Sequence, residues 1–473
     1  MSLLIRGGRI VTATDDYVGD LLVEGGTISQ IGLSLQPGPG DDVIDASGRY
    51  VLPGMIDPHT HFQTPQAGTV GCDDFTVGTA SAAFGGNTCV VHFAQQRRGQ
   101  GIAEAIEHWH GLLRDHPPLV DVGFHCIVTD LTQPNALAEL AELPAQGIPS
   151  FKLFMAYRGG NMVDDDTLFQ AMQVAAGSGA LVMVHAENGS VIEVLRDQAA
   201  ARGELTPEFH ARTRPPATEA EAVHRAIALA ELAGAPLYVV HVSCEEAVEP
   251  VRRARAAGAA VWAETCTQYL FIDEELLTRP DFEGAKYVFT PPPRRREQFD
   301  HLWEALATGV LQVVSSDHAP FRWQGQKTLG LHDFRLIPNG APGVENRLHL
   351  LHHFGVRAGR ISLQRMVELL ATAPARLFGL HPRKGTIAVG SDADLVVFDP
   401  DREVTLSAAA HHSNSDYNLY EGTTVAGAPE LVLVRGQVVV DGERLVAQPG
   451  HGRFVERARF GPVSSPPTVP AAP

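Results

Sequence analysis

The stretch YVLPGMIDPHTHF (residues 50–62) couples an apolar run to two histidines, His59 and His61, spaced by one residue. Side chains alternate along a strand, so both imidazoles would leave the end of this run on the same face. Further runs of this kind follow at Cys89–Phe93, Val122–Val128, Phe151–Met155, Leu181–His185, Leu237–His241, Val261–Thr265 and Leu311–Ser315. With Met55–His59 they make eight, and helix-length stretches such as TEAEAVHRAIALAELAG (218–234) separate them. Regular strand and helix alternation predicts a parallel sheet, and eight repeats predict a (β/α)8 TIM-like barrel over residues 54–382.

The two ends of the chain read differently. LLIRGGRIV (3–11), DLLVEGGTISQIG (20–32) and VIDASGRYV (43–51) are short β runs with Gly-Gly and Asp at hairpin spacing, and the texture returns in GTIAVGSDADLVVFDP (385–400) and PELVLVRGQVVVDGE (429–443). Neither half can bury a face alone, so residues 1–53 and 383–450 are predicted to pair into one small β-sandwich domain. Residues 451–473 form a C-terminal tail whose end, GPVSSPPTVPAAP (461–473), has the composition of a disordered or surface-draped segment.

A formal charge of -18 disfavours nucleic acid and anionic membrane surfaces as partners and leaves a small neutral ligand as the better fit. The five cysteines are odd in number and contain no CxxC pair, so neither a disulfide framework nor a thiolate metal site is indicated. No run approaches the roughly 18 apolar residues of a membrane span, and MSLLIRGGRI lacks the apolar stretch of a signal peptide. A cytoplasmic location is expected.

Barrel chemistry sits at the C-terminal ends of the strands. Strand one ends in His59 and His61, strand five (LVMVHAE, 181–187) in His185, strand six (LYVVHVS, 237–243) in His241 and strand eight (LQVVSSDHAP, 311–320) in Asp317. A lone strand-end histidine is commonly structural, but nitrogen and oxygen ligands converging on one mouth suit one or two divalent cations of the zinc type. Strand four adds Lys152 in SFKLFMAY (150–157), where apolar neighbours would bury an ammonium and lower its pKa. A salt bridge or a snorkelling side chain is the plain reading of that lysine. Beside two metals a neutral amine could instead take up carbon dioxide and bridge them as a carbamate.

PGMIDPHTHFQ, FKLFMAY, VHAEN, VVHVS, SSDHAPF, IPNGAPGVENR, KGTIAVGSDADLVVFDP and SDYNLYEG occur in an order that spans about Met1 to Val440. In these motifs the chain resembles the cyclic amidohydrolases of the dihydropyrimidinase and D-hydantoinase group. The resemblance implies two zinc ions, one held by His59 and His61 with Asp317, the other by His185 and His241, bridged by N6-carboxylysine at Lys152. It implies that the Tyr157 hydroxyl steadies the developing oxyanion, that backbone groups at Thr290 and Asn339 bind the ring amide, and that the chain forms a homotetramer. The substrate implied is a small cyclic ureide or imide, a dihydropyrimidine or 5-substituted hydantoin, opened to an N-carbamoyl amino acid by a hydroxide held between the metals. Asp317 would then move the proton to the leaving nitrogen.

The sequence departs from the family pattern at Thr64, Gln66 and Ala67 in a loop near the pocket, at Thr267, at Thr290 and at His92, which puts the ring substituent in doubt rather than the chemistry. A dihydroorotase would usually carry arginine two residues after the second histidine, where Gln63 stands here. An allantoinase-like enzyme and a non-catalytic scaffold relative remain as alternatives, although the scaffold relatives have lost metal ligands and all six positions are present here. PPPRRREQF (291–299) reads as a solvated basic turn, Cys244 as a core thiol, and Asp73 and Asp74 as organisers of the loop after strand one.

Overall fold

In the computed structural model, which describes residues 2–461, the runs between Met55 and Ser315 pair in chain order into one parallel sheet. The strands are Met55–Thr60, Asn87–Gln95, Asp121–Ile127, Ser150–Phe154, Leu181–His185, Leu237–Val239, Val261–Cys266 and Val313–Ser315, numbered one to eight below. Nearly every position in them is buried, as expected of a sheet covered by helices outside and packed side chains within.

The barrel closes between the end of strand one and the segment just past strand eight. Thr60 bridges His318, the His61 N–H donates to the His318 carbonyl at 2.8 Å, and the His318 N–H donates to the His59 carbonyl at 3.3 Å. The seam therefore fastens the segment carrying His59 and His61 to the one carrying Asp317. Asp73 holds it from outside, accepting from His318 Nε2 at 3.0 Å and from the Asn414 N–H at 2.7 Å. This is the loop-organising role expected of Asp73. Asp74 caps helix Phe75–Phe84 by accepting from the Val77 N–H.

Both chain ends contribute to a nine-stranded sheet. Tyr50–Pro53 is its keystone, parallel to Arg9–Ile10 on one side and antiparallel to Leu395–Phe398 on the other. The sheet has a core of its own, in which Ile5, Leu21 and Ile28 from the first half pack with Leu395, Val397 and Leu433 from the second. Backbone bonds from Ile28 N–H to Ser391 O and from Ala393 N–H to Gly26 O close the two halves over it.

Lys384 ties this domain to the foot of the barrel, its buried ammonium lying 2.7 Å from Asp121, 2.9 Å from Asp392 and 2.6 Å from Asp394. Three buried carboxylates together could suggest a cation site, but the ammonium already supplies the counter-charge. The described part of the C-terminal segment crosses the same face. Val122 N–H donates to Arg453 O, Val455 N–H donates to Val122 O, and the buried Arg457 guanidinium donates to Phe124 O, Phe378 O and Ser150 Oγ. Burial lowers the Arg457 pKa to about 9, and the three acceptors keep the charge solvated by protein. The expected disordered end, from residue 462 on, lies outside the described residues.

Candidate active site

His59 and His61 emerge from strand one on one face, and one oxygen of Asp317 lies between them, 3.0 Å from His59 Nε2 and 3.4 Å from His61 Nε2. Across the mouth, His185 Nδ1 lies 2.8 Å from His241 Nε2. The His59 and His241 rings stand 5.5 Å apart, so the two groups share one mouth. Two of the residues, Asp317 (φ +49°) and His241 (φ +40°), sit just past their strands in the left-handed region, as does Tyr157 (φ +71°). Non-glycine residues rarely adopt this backbone, and such strain concentrates at functional sites. Here it ends the ladder abruptly and turns each side chain into the opening. His241 in consequence lies two residues beyond strand six rather than at its last position.

Lys152 completes the set. It is fully buried, its Nζ has no hydrogen-bond partner among the described residues, and that atom stands 5.0 Å from the ring centres of both Phe93 and Phe154. Burial brings its pKa down to about 7, although the charges of Asp317 and Glu264 oppose the shift. The salt-bridge and snorkelling readings do not hold. A buried amine left unpartnered costs on the order of 1–3 kcal/mol, which a bound group could recover.

The histidines are differentiated. Burial pulls both His59 and His61 downward, but the charges of Asp317 and Glu264 reverse the effect for His59, which rises to about 9, while His61 falls to about 4. Burial also lowers His185 and His241. Four imidazoles, a carboxylate and a neutral-leaning amine around one opening are a donor set for divalent cations.

These residues line a cavity of about 430 Å³ together with Tyr157, Thr290 and Asn339. The Tyr157 hydroxyl meets the side chains of Thr290 and Asn339, and burial, reinforced by Glu187, pushes its pKa up to about 12. It is therefore a proton donor at neutral pH. Thr64, Gln66 and Ala67 also line the cavity, so with Thr290 four of the departures noted in the sequence face any ligand. His92 does not line it. It accepts from the Phe62 N–H at 3.3 Å and stacks on the Phe62 ring, between strand two and the outer helices. Cys244 is a buried thiol beside Glu219.

Several functional residues escaped the sequence reading. Glu264, in the middle of strand seven, bonds His59 Nδ1, accepts from Tyr238 Oη at 2.9 Å and from the His241 N–H at 3.3 Å. It thus orients one histidine by its ring and another by its backbone. Glu187 does the same for His185, 2.8 Å from Nε2. A carboxylate inside the strand-like run VWAETC was the available signal. Partners of this kind commonly govern metal affinity about 10–100-fold. Glu264→Gln is expected to weaken metal binding by about that factor in a chelator competition, and unchanged affinity would reduce Glu264 to a packing role.

The basic turn needs correction. Arg295 and Arg296 are exposed, but Arg294 is buried, paired with Glu219 at 2.8 Å and donating to Ser243 Oγ at 2.9 Å. Charge composition could not separate the one arginine that a distant glutamate draws inward.

Comparison with known proteins agrees with the geometry. Residues 50–439 match the amidohydrolase family. The chain is 51% identical to a D-hydantoinase of Ralstonia pickettii over 97% of its own length and all of that protein, and 50% identical to a D-hydantoinase of Rhizobium radiobacter over the same shares. The crystal structure of dihydropyrimidinase from Brevibacillus agri NCHU1002 superposes with a TM-score of 0.96 at 49% identity, covering 98% of this chain and all of that one. Among the described residues no helix is long and apolar enough to cross a membrane. The chain belongs to the amidohydrolase family, within its D-hydantoinase and dihydropyrimidinase group, and is a cyclic-amide hydrolase.

Proposed function

We propose that the chain opens dihydropyrimidines or 5-substituted hydantoins to N-carbamoyl amino acids with two zinc ions, working as a cytoplasmic homotetramer. The observation that carries the metal reading is the unpartnered amine of Lys152, buried beside two pairs of histidines. A neutral amine adds to carbon dioxide, forming an N–C bond and releasing one proton. The resulting carbamate offers two oxygens and a negative charge. His59, His61 and Asp317 would hold one ion, His185 and His241 the other, with the carbamate between them. When bound, the metals supply Lewis acidity and a water that ionises near neutral pH.

The remaining work falls to the chain. Backbone groups at Thr290 and Asn339 hold the ring amide, and the strand-end loops that carry them set the ring's height in the cavity. The Tyr157 hydroxyl donates to the carbonyl oxygen as negative charge gathers there, a contribution that grows only toward the transition state. Asp317 accepts the proton released by the attacking water and passes it to the ring nitrogen as the C–N bond breaks. The hydroxyl then resides on the former carbonyl carbon and the proton on the nitrogen.

Metal analysis of the purified protein alongside ring opening of dihydrouracil, hydantoin and a 5-aryl hydantoin tests this reading. About two zincs per chain with turnover of any of the three is the expected result. No metal and no turnover after supply of zinc and bicarbonate would make the six ligand positions a relic, and the scaffold alternative would replace the proposal. Sedimentation tests the tetramer.

A further inference from the structure

WQGQKTLGLHDFRLIPNG (323–340) holds a second buried lysine that the chemistry above does not use. Lys327 is fully buried, and its Nζ donates to three backbone carbonyls, those of Val288, Pro338 and Gly340, each at 2.7 Å. Three carbonyls converging on one nitrogen require three N–H donors, which only the protonated amine provides. Among the described residues no carboxylate pairs with it, and burial drives its pKa well below the ordinary lysine range; the three convergent carbonyls oppose that shift by solvating the ammonium.

The three carbonyls belong to the two segments that carry Thr290 and Asn339. Val288 precedes Thr290 by two residues, and its carbonyl also accepts the Gly340 N–H at 3.1 Å. Pro338 and Gly340 flank Asn339. The Pro338 carbonyl and the Asn339 N–H belong to one peptide unit, so a charge-assisted bond to the carbonyl polarises that N–H as a donor. The same turn lies against the strand-eight loop. Gly340 has φ +147°, and a Cβ there would fall 2.4 Å from Ala319 O. The Ala319 N–H donates to Ala341 O at 3.1 Å, two residues after Asp317.

We infer that Lys327 is a positioning residue that locks the Thr290 and Asn339 segments into one ring-amide-binding frame and sharpens the Asn339 N–H as a donor. The inference rests on the substrate reading given above, in which those two backbones bind the ring. Such contacts hold substrate and transition state alike, so their loss should raise KM and spare kcat. A purely structural role would lower the melting temperature or the active fraction without moving KM.

The test uses the zinc-loaded full chain with hydantoin as substrate. Lys327→Met removes all three donors at similar length, and Lys327→Arg keeps the charge on a planar fork that cannot meet three convergent carbonyls equally. The expected result is a KM raised by about tenfold in Lys327→Met, a smaller rise in Lys327→Arg, kcat within about threefold of the parent and unchanged zinc content. An unchanged KM in a folded, zinc-loaded variant overturns the inference while leaving the substrate reading intact, because the parent still turns over. Failure of both variants to fold would make Lys327 a determinant of the fold and overturn the positioning role. A parent without turnover overturns the substrate reading, and this inference falls with it.

Discussion

Lys152→Ala should purify with much less than the parent's zinc and turn over hydantoin at least about 10³-fold more slowly, comparable to the loss of a principal electrostatic group from a transition state. The expectation follows from the environment of the amine. Among the described residues nothing accepts a hydrogen bond from its Nζ, and the groups flanking it are the aromatic rings of Phe93 and Phe154, which offer it no hydrogen-bond acceptor. Its pKa near 7 leaves a large fraction neutral at physiological pH, and that is the form able to add carbon dioxide. Short carboxylates such as acetate should restore part of the activity to Lys152→Ala by placing two oxygens in the vacated space. A second readout is independent of turnover. Lys152→Met keeps the volume but deletes the unsatisfied donor, so the metal-free protein should melt no lower than the metal-free parent. Full activity in Lys152→Ala would remove the carbamate from the mechanism.

The barrel and its ligands were legible because strand burial and strand-end chemistry are local. An apolar run of five or six residues reads directly as a strand, and a histidine at its end needs no knowledge of any other segment. What remained hidden depended on pairs distant in sequence. Glu264 matters because His59, some two hundred positions away, meets it. Arg294 turns inward because Glu219 is there, whereas its neighbours Arg295 and Arg296 stay in water. Lys327 sits in a short polar stretch whose burial is decided by three carbonyls from other turns. The closing seam was invisible for a related reason. It joins Thr60, the last residue of strand one, to His318 past the end of strand eight, and periodicity stops where the left-handed backbone of Asp317 begins. Hydrophobic pattern specifies which face is buried but not which polar group waits on the other side.

Asp317→Asn is expected to lower kcat by about 10²–10⁴-fold, the usual contribution of a positioned proton carrier. Aspartate and asparagine have nearly the same volume, so the cavity and the seam through His318 should keep their shape. Burial alone would raise the Asp317 pKa, yet the neighbouring His59 and His61 hold it far below the ordinary carboxylate range. The carboxylate is thus ionised and able to accept a proton, and an amide is not. Because Asp317 is also a proposed ligand, the loss of turnover must be separated from loss of metal. The histidines and Lys152 are untouched in this variant, so zinc should be largely retained, and Asp317→Asn with metal bound but turnover abolished would assign the proton transfer to this side chain. If the zinc-loaded variant keeps turnover within about tenfold of the parent, Asp317 serves as a ligand only and another group must carry the proton to the ring nitrogen.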